Sequence, residues 1–250
     1  MKNIKLFILL LSLPLTLLAR EEIIKRKYYT LSYNEDHEVA NWVSYELEKN
    51  NLRNCTKRTN SFRIDPNVST GSATPNDYAN SGFDRGHLVP AGDMKISAEA
   101  MRDTFFMSNM TPQPGKFNQG RWVQLENLMR AWASRYEKIW IVTGPVLEKG
   151  LPTMGKDNQI SIPDKYFKVI LRQNGNSYQG IAFLMETSVP HANLRAYTMS
   201  INEVEEIAQL DFFQFLDNRI EEQVEGSFDL KNWDFNAKFE YLPCQASVAQ

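Results

Sequence analysis

The chain has 250 residues, of which 42% are hydrophobic and 12% aromatic, enough apolar side chain to bury a large core in one globular domain and no biased segment long enough for a second module. Its 28 basic and 30 acidic residues give a formal charge of −2, which weighs against a sequence-specific DNA-binding protein with a basic field over the whole domain. A basic patch confined to a cleft stays compatible with that balance.

Residues 1–19 read as a signal peptide. Lys2 and Lys5 precede an apolar run from Leu6 to Leu18, and Ala19 stands before the charged Arg20-Glu21-Glu22. The run is short of the about 20 apolar residues that a spanning helix needs, and Pro14 interrupts it. The reading is therefore an exported protein, periplasmic or extracellular, with a single domain over 20–250. No cysteine near the cleavage point indicates a lipid anchor, and loss of Lys2 and Lys5 takes the charge to −4. Cys55 and Cys244 would meet an oxidising compartment, and an even count fits one disulfide closing a very long loop, against two unrelated thiols.

Next in the chain, Lys27 to Tyr33 is rich in β-formers and predicts a strand, while Val39, Trp42, Val43 and Leu47 fall at helical spacing and predict an amphipathic helix over Glu38 to Leu47. Asn50 to Phe83 is polar and turn-rich, with Asp65-Pro66, Thr70-Gly71 and Thr74-Pro75, and predicts long surface loops. Arg121 to Tyr136 predicts a helix, with Leu125, Leu128, Met129 and Trp132 on one face and Trp122, Glu126 and Arg130 along another. Asn118 falls just before its first turn. Ile139 to Val142, Tyr166 to Leu171 and Gly180 to Met185 predict buried strands, and Asn202 to Leu216 a second amphipathic helix, followed by a polar remainder. The acids of Glu203 to Glu225 are expected on a solvated face. Without regular βαβ alternation, these elements predict an α+β domain around a mainly antiparallel sheet.

The chemistry-bearing segment is Gly82-Phe83-Asp84-Arg85-Gly86-His87-Leu88-Val89-Pro90, followed by Phe117-Asn118-Gln119-Gly120-Arg121-Trp122. A histidine can take a proton from water near neutral pH, a neutral amide oxygen can hold a hard cation, and guanidinium groups bind phosphate oxygens. Asp84-Arg85-Gly86-His87 resembles the signature of the DNA/RNA non-specific endonucleases, the endonuclease G-like branch of the ββα-metal (His-Me finger) nucleases. Further segments match in order: Leu31-Ser32-Tyr33-Asn34, Asn41 to Leu47, Phe62 to Pro66, Asp77-Tyr78, Ser108 to Gln113, Leu125-Glu126, Thr143-Gly144-Pro145 and Leu210 to Phe213. The likeness runs over residues 28–216, and the ordered set carries more weight than the tetrapeptide.

Each candidate residue also has a plainer reading. A lone histidine is usually structural, and His37 and His191 are read so, whereas the motif around His87 implies a general base that deprotonates the attacking water. Asn118 would serve as a helix cap; the resemblance makes it the one protein ligand of a magnesium ion, with manganese able to substitute and the other positions filled by water and phosphate oxygen. Glu126 would pair with Arg130 on an exposed helix face; the resemblance has it reach the ion through water. Asn109 is a turn residue or the asparagine that supports the site. Arg85 and Arg130 are the phosphate-binding candidates, with a further arginine at either Arg58 or Arg63, and Asp84 orients its neighbours. Other basic residues near the motif are Lys57, Lys116, Arg121 and Arg135.

The resemblance implies in-line hydrolysis of phosphodiester bonds in DNA and RNA, weak sequence preference, 5′-phosphate and 3′-hydroxyl ends, and a homodimer. Two other classes stay open from the residues: a non-catalytic nucleic-acid-binding protein on the same fold, and an exported phosphodiesterase for small esters or lipids.

Overall fold

The computed structural model describes residues 21–188 and 193–244; the leader and His191 lie outside them. In chain order the strands begin with β1 (Glu21–Lys25), β2 (Thr30–Asn34), β3 (Val39–Glu48) and β4 (Asp84–His87). Helix α1 (Ala98–Asp103) and strand β5 (Met110–Gln113) come next. A helical turn α2 (Gly115–Phe117), a π-helical turn over Asn118–Trp122 and helix α3 (Val123–Tyr136) then run on without a break. The second half holds β6 (Lys138–Pro145), short β7 (Thr153–Met154) and β8 (Ile160–Ser161), the hairpin β9 (Lys165–Asn174) and β10 (Ser177–Glu186), and β11 (Thr198–Met199). Helices α4 (Ile201–Ala208) and α5 (Asn218–Glu225) complete it.

Seven strands form one sheet in the order β1-β2-β3-β6-β9-β10-β11, all pairs antiparallel, so the α+β expectation holds. Alternation along β6 sends Ile139 and Ile141 into one core and Val142 into another. The first core lies under α3, where Trp132 is fully buried and stacks on Trp233 at 4.5 Å. Burying one such side chain contributes about 1.5–3 kcal/mol. The second lies under α4 and α5, where Ile201, Val204 and Val224 pack against Phe167, Val169 and Ala182. The sheet is thus a middle layer with helices on both faces.

Three sequence expectations fail, each for a local reason. The helix expected over Glu38 to Leu47 is strand β3: Val43, Tyr45 and Leu47 alternate into the first core, a bulge at Asn41 opposite Ser32 and Tyr33 brings Ala40 onto the same face, and Val39 and Trp42, which completed the helical spacing, pack into other clusters. The helix expected to reach Leu216 stops at Ala208, because Gln209 takes a left-handed conformation (φ 54°) and Phe212 and Phe213 enter the core from an irregular turn. The acids of Glu203 to Glu225 are not all solvated, since Glu225 is 4% exposed and Glu203 closes a capping box on Ser200.

The 50–83 segment wraps the surface as expected, with few regular elements. Cys55 and Cys244 form the disulfide, 189 residues apart. Beside it Asn54 N–H donates to the Leu242 carbonyl at 3.1 Å and the Tyr241 hydroxyl donates to the Gly92 carbonyl at 2.9 Å, which straps the C-terminal segment to the loop after β4.

Candidate active site

Strands β4 and β5 pair antiparallel outside the main sheet, with Asp84 opposite Gln113 and His87 opposite Met110, and α3 follows them. Two strands and a helix therefore carry the motif residues. Gly86 is required at the crossing: a Cβ there would lie 2.3 Å from the buried Gln113 side chain. The hairpin and α3 form one wall of a cleft of about 640 Å³, and the loop carrying Arg58 and Phe62 forms the other.

His87 lines this cleft and is 7% exposed. One ring nitrogen is held by a hydrogen bond to the Arg85 backbone, while Nε2 is buried without a partner among the described residues. Phe105 meets the imidazole edge-on at 4.9 Å, and Phe62 lies tilted against it at 5.8 Å. Burial, with Arg58 second, lowers the His87 pKa to about 3, against the Arg85 hydrogen bond. The ring is accordingly neutral at pH 7, with one nitrogen donating and Nε2 free to accept a proton.

Asn118 lies inside the helical run and not ahead of it as a cap: its backbone is helical (φ −56°, ψ −50°), and the π turn carries it into the cleft. Its Nδ2 donates to Asp84 Oδ2 at 2.9 Å, and Gln119 Nε2 donates to the same oxygen at 2.9 Å. Because a carboxylate only accepts, the amide nitrogen must face Asp84, and the Asn118 Oδ1 is left pointing away from that bond. Asp84 therefore orients its neighbours, as the sequence implied. Among the described residues no three His, Cys, Asp or Glu side chains are placed to hold a metal ion. A neutral amide oxygen as donor fits a hard ion that keeps most of its shell as water and substrate oxygen.

Glu126 lines the cleft one turn of α3 before Arg130, and the plainer alternative of an exposed pair between them does not hold, because Arg130 is buried and bonded to Asp93. Arg130 NH1 donates to Asp93 Oδ1 at 2.6 Å and NH2 to Asn127 Oδ1 at 2.8 Å, and Tyr45 OH donates to Asp93 Oδ2 at 2.9 Å. Burial works against the charge on Arg130, yet Asp93 and Glu126 outweigh it and hold the guanidinium above its ordinary pKa. From the sheet beneath, fully buried Lys168 lies 4.8 Å over the Trp122 ring. Burial pushes the Glu126 carboxyl up and the Lys168 ammonium down, and each is opposed by the other's charge.

Arg85 and Arg58 both line the cleft, the first 4.3 Å over Phe62 and the second 5.0 Å over Phe105, the two rings that pack on His87. Arg63 lies elsewhere: it stacks 3.8 Å over Phe106, donates to the Arg102 carbonyl at 2.6 Å and pairs with Asp103 at 3.6 Å. The structure thus brings Arg58 and not Arg63 to the site. Asn109 is fully buried and does not reach the cleft. Its side chain accepts from Val89 N–H at 2.9 Å and donates to the carbonyls of Val89 and Thr104, so it sets the chain just past His87. His37 binds Ser161 at 2.8 Å, away from the cleft. Sequence reasoning did not find Phe105, Asp93 or Lys168 and named Phe62 only within a matching segment, without a place at the site; apolar rings and lone charges carry no motif, and only the fold places them here.

The comparisons with known proteins agree with this geometry. The family model described as DNA/RNA non-specific endonuclease matches residues 13–219. The chain is 34% identical over 218 residues to Nuclease C1 of Cunninghamella echinulata var. echinulata, covering 78% of this chain and 84% of that protein. It is 31% identical over 228 residues to a nuclease of Nostoc sp., covering 86% and 82%. The fold resembles a chain in the crystal structure of the EndoG/EndoGI complex, with a TM-score of 0.73, 25% identity, and 79% of this chain and 88% of that chain covered. With the ββα hairpin, His87 and Asn118 in one cleft, this chain belongs to the DNA/RNA non-specific endonuclease family.

Proposed function

We propose that this protein is an exported, magnesium-dependent endonuclease that hydrolyses internal phosphodiester bonds of DNA and RNA and leaves 5′-phosphate and 3′-hydroxyl ends. The observation that carries the reading is His87 Nε2, a buried acceptor without a partner among the described residues, in the cleft that also holds Arg85, Arg58 and Asn118.

His87 accepts the proton of the attacking water at Nε2, while its hydrogen bond to the Arg85 backbone fixes the tautomer. An imidazole so depressed is a weak base. A phosphate drawn in beside Arg58 offsets one of the two causes of that depression and raises its basicity. Arg85 and Arg58 bind phosphate oxygens and the charge that develops on them. Arg130 serves through Asp93, which keeps it in place against Glu126. A magnesium ion held through Asn118 Oδ1, with Glu126 reaching it through water and manganese able to replace it, would stabilise charge on the departing 3′ oxygen. The described cleft residues that can meet a nucleic acid include Arg58 and Arg85, which suit phosphate oxygens, and binding through the phosphate backbone supports weak sequence preference with strong salt dependence.

Export is supported by residues 1–19 and suits the Cys55–Cys244 disulfide, which persists in an oxidising compartment. The test is cleavage of covalently closed circular DNA and of RNA in magnesium, followed by ligation of the DNA products without prior phosphorylation. Ligatable ends support the proposed polarity; closed circles left intact beside hydrolysis of small esters would replace the endonuclease by a phosphodiesterase. The homodimer, implied by the same resemblance, would appear as twice the monomer mass in light scattering.

A further inference from the structure

Three cleft-lining side chains hold a buried polar atom with no hydrogen-bond partner among the described residues: His87 Nε2, Arg130 Nε and the Tyr78 hydroxyl. The first two belong to groups already placed in the chemistry, and Tyr78 does not. Its residue is 5% exposed and its ring packs with Val39, Ala73, Met107, Met110 and Ile160, a task that phenylalanine would perform as well. An orphan hydroxyl in such surroundings costs free energy without a compensating bond in the protein.

Its neighbour Asp77 is no partner, because both carboxylate oxygens are taken by Thr74, by the backbone N–H groups of residues 156–158 and by the Asn158 side chain. Burial, then Tyr166 and Asp77, hold the phenol's pKa well above the ordinary value against the nearby charge of Arg85, so it stays protonated and keeps an O–H to donate. Like His87 Nε2, the oxygen is buried and without a hydrogen-bond partner among the described residues, so a phosphate reaches either atom only if neighbouring groups shift.

We propose that Tyr78 is a substrate-binding residue whose hydroxyl donates a hydrogen bond to an oxygen of the phosphate held by Arg85, an assignment that rests on the phosphodiester reading above. Tyr78→Phe removes the one oxygen and keeps the ring. The experiment compares initial rates of supercoiled-plasmid nicking in magnesium for wild type and Tyr78→Phe, with thermal unfolding of both followed by circular dichroism. The nicking rate is expected to fall about 10- to 100-fold, the range of a hydrogen bond to a charged group, while Tm holds or rises. Equal rates would overturn the assignment, and so would a Tm lowered by several degrees, since the hydroxyl would then be paired inside the protein. A wild type that fails to nick would remove the phosphodiester reading and Tyr78 with it, a result distinct from equal rates.

Discussion

Asp84 Oδ2 accepts a hydrogen bond from Asn118 Nδ2 at 2.9 Å, joining the first strand of the hairpin to the π turn that opens α3. The bond decides which end of the amide faces the cleft. In Asp84→Ala the amide is free to rotate, and the magnesium concentration for half-maximal nicking is expected to rise about 10- to 100-fold, the usual cost of losing a partner that orients a metal ligand. Magnesium titration of the variant checks this, with a far-ultraviolet circular dichroism spectrum to show the fold intact.

Arg130 and Arg85 should respond in opposite ways to truncation. The Asp93 side chain is fully buried, so Arg130→Ala leaves an unpaired interior carboxylate and is expected to cost about 3–5 kcal/mol in urea unfolding. Arg85 has no ion pair among the described residues, and Arg85→Ala should stay within about 1 kcal/mol of wild type while nicking falls about 100-fold or more. Equal stability of the two variants would contradict the Asp93 account.

Glu225 predicts a pH dependence of stability. Burial, then Glu205, Glu221 and Asp211, raise its pKa from 4.5 to about 8. The folded state then binds more protons than the unfolded state between those values, so stability falls as pH rises through that window and levels off above it. Glu225→Gln should flatten the decline, raising Tm at pH 8.5 relative to wild type and leaving it little changed at pH 4.5.

The Cys55–Cys244 bridge closes a loop of 189 residues, and Cys244→Ser is expected to destabilise the protein by about 2–5 kcal/mol. Thermal unfolding of the variant against wild type, and of wild type with and without reductant, measures it.

The site was more legible in the sequence than the fold around it. His87, Asn118, Glu126 and Arg85 carry functional groups whose order and spacing are readable, and all four line one cleft. Strand β3 reads as a helix because Val39, Trp42, Val43 and Leu47 fall at helical spacing, yet they pack into three separate clusters, with the bulge at Asn41 between Val39 and Val43. The choice between Arg58 and Arg63 needed the fold, since both precede Asp65 and only packing against Phe105 or Phe106 separates them. Asp93, 37 residues from Arg130, and Phe62, which packs on His87, are contacts between segments distant along the chain, and no local pattern announces them.

The central claim is that His87 serves as the base of a metal-dependent endonuclease. The most direct measurement is nicking of supercoiled plasmid by the purified mature protein in magnesium, in excess chelator, and with His87→Ala shown to be folded by circular dichroism. The account predicts open circles from wild type in magnesium and intact plasmid in the other two samples. Nicking by folded His87→Ala at the wild-type rate, or by wild type in chelator, would contradict it.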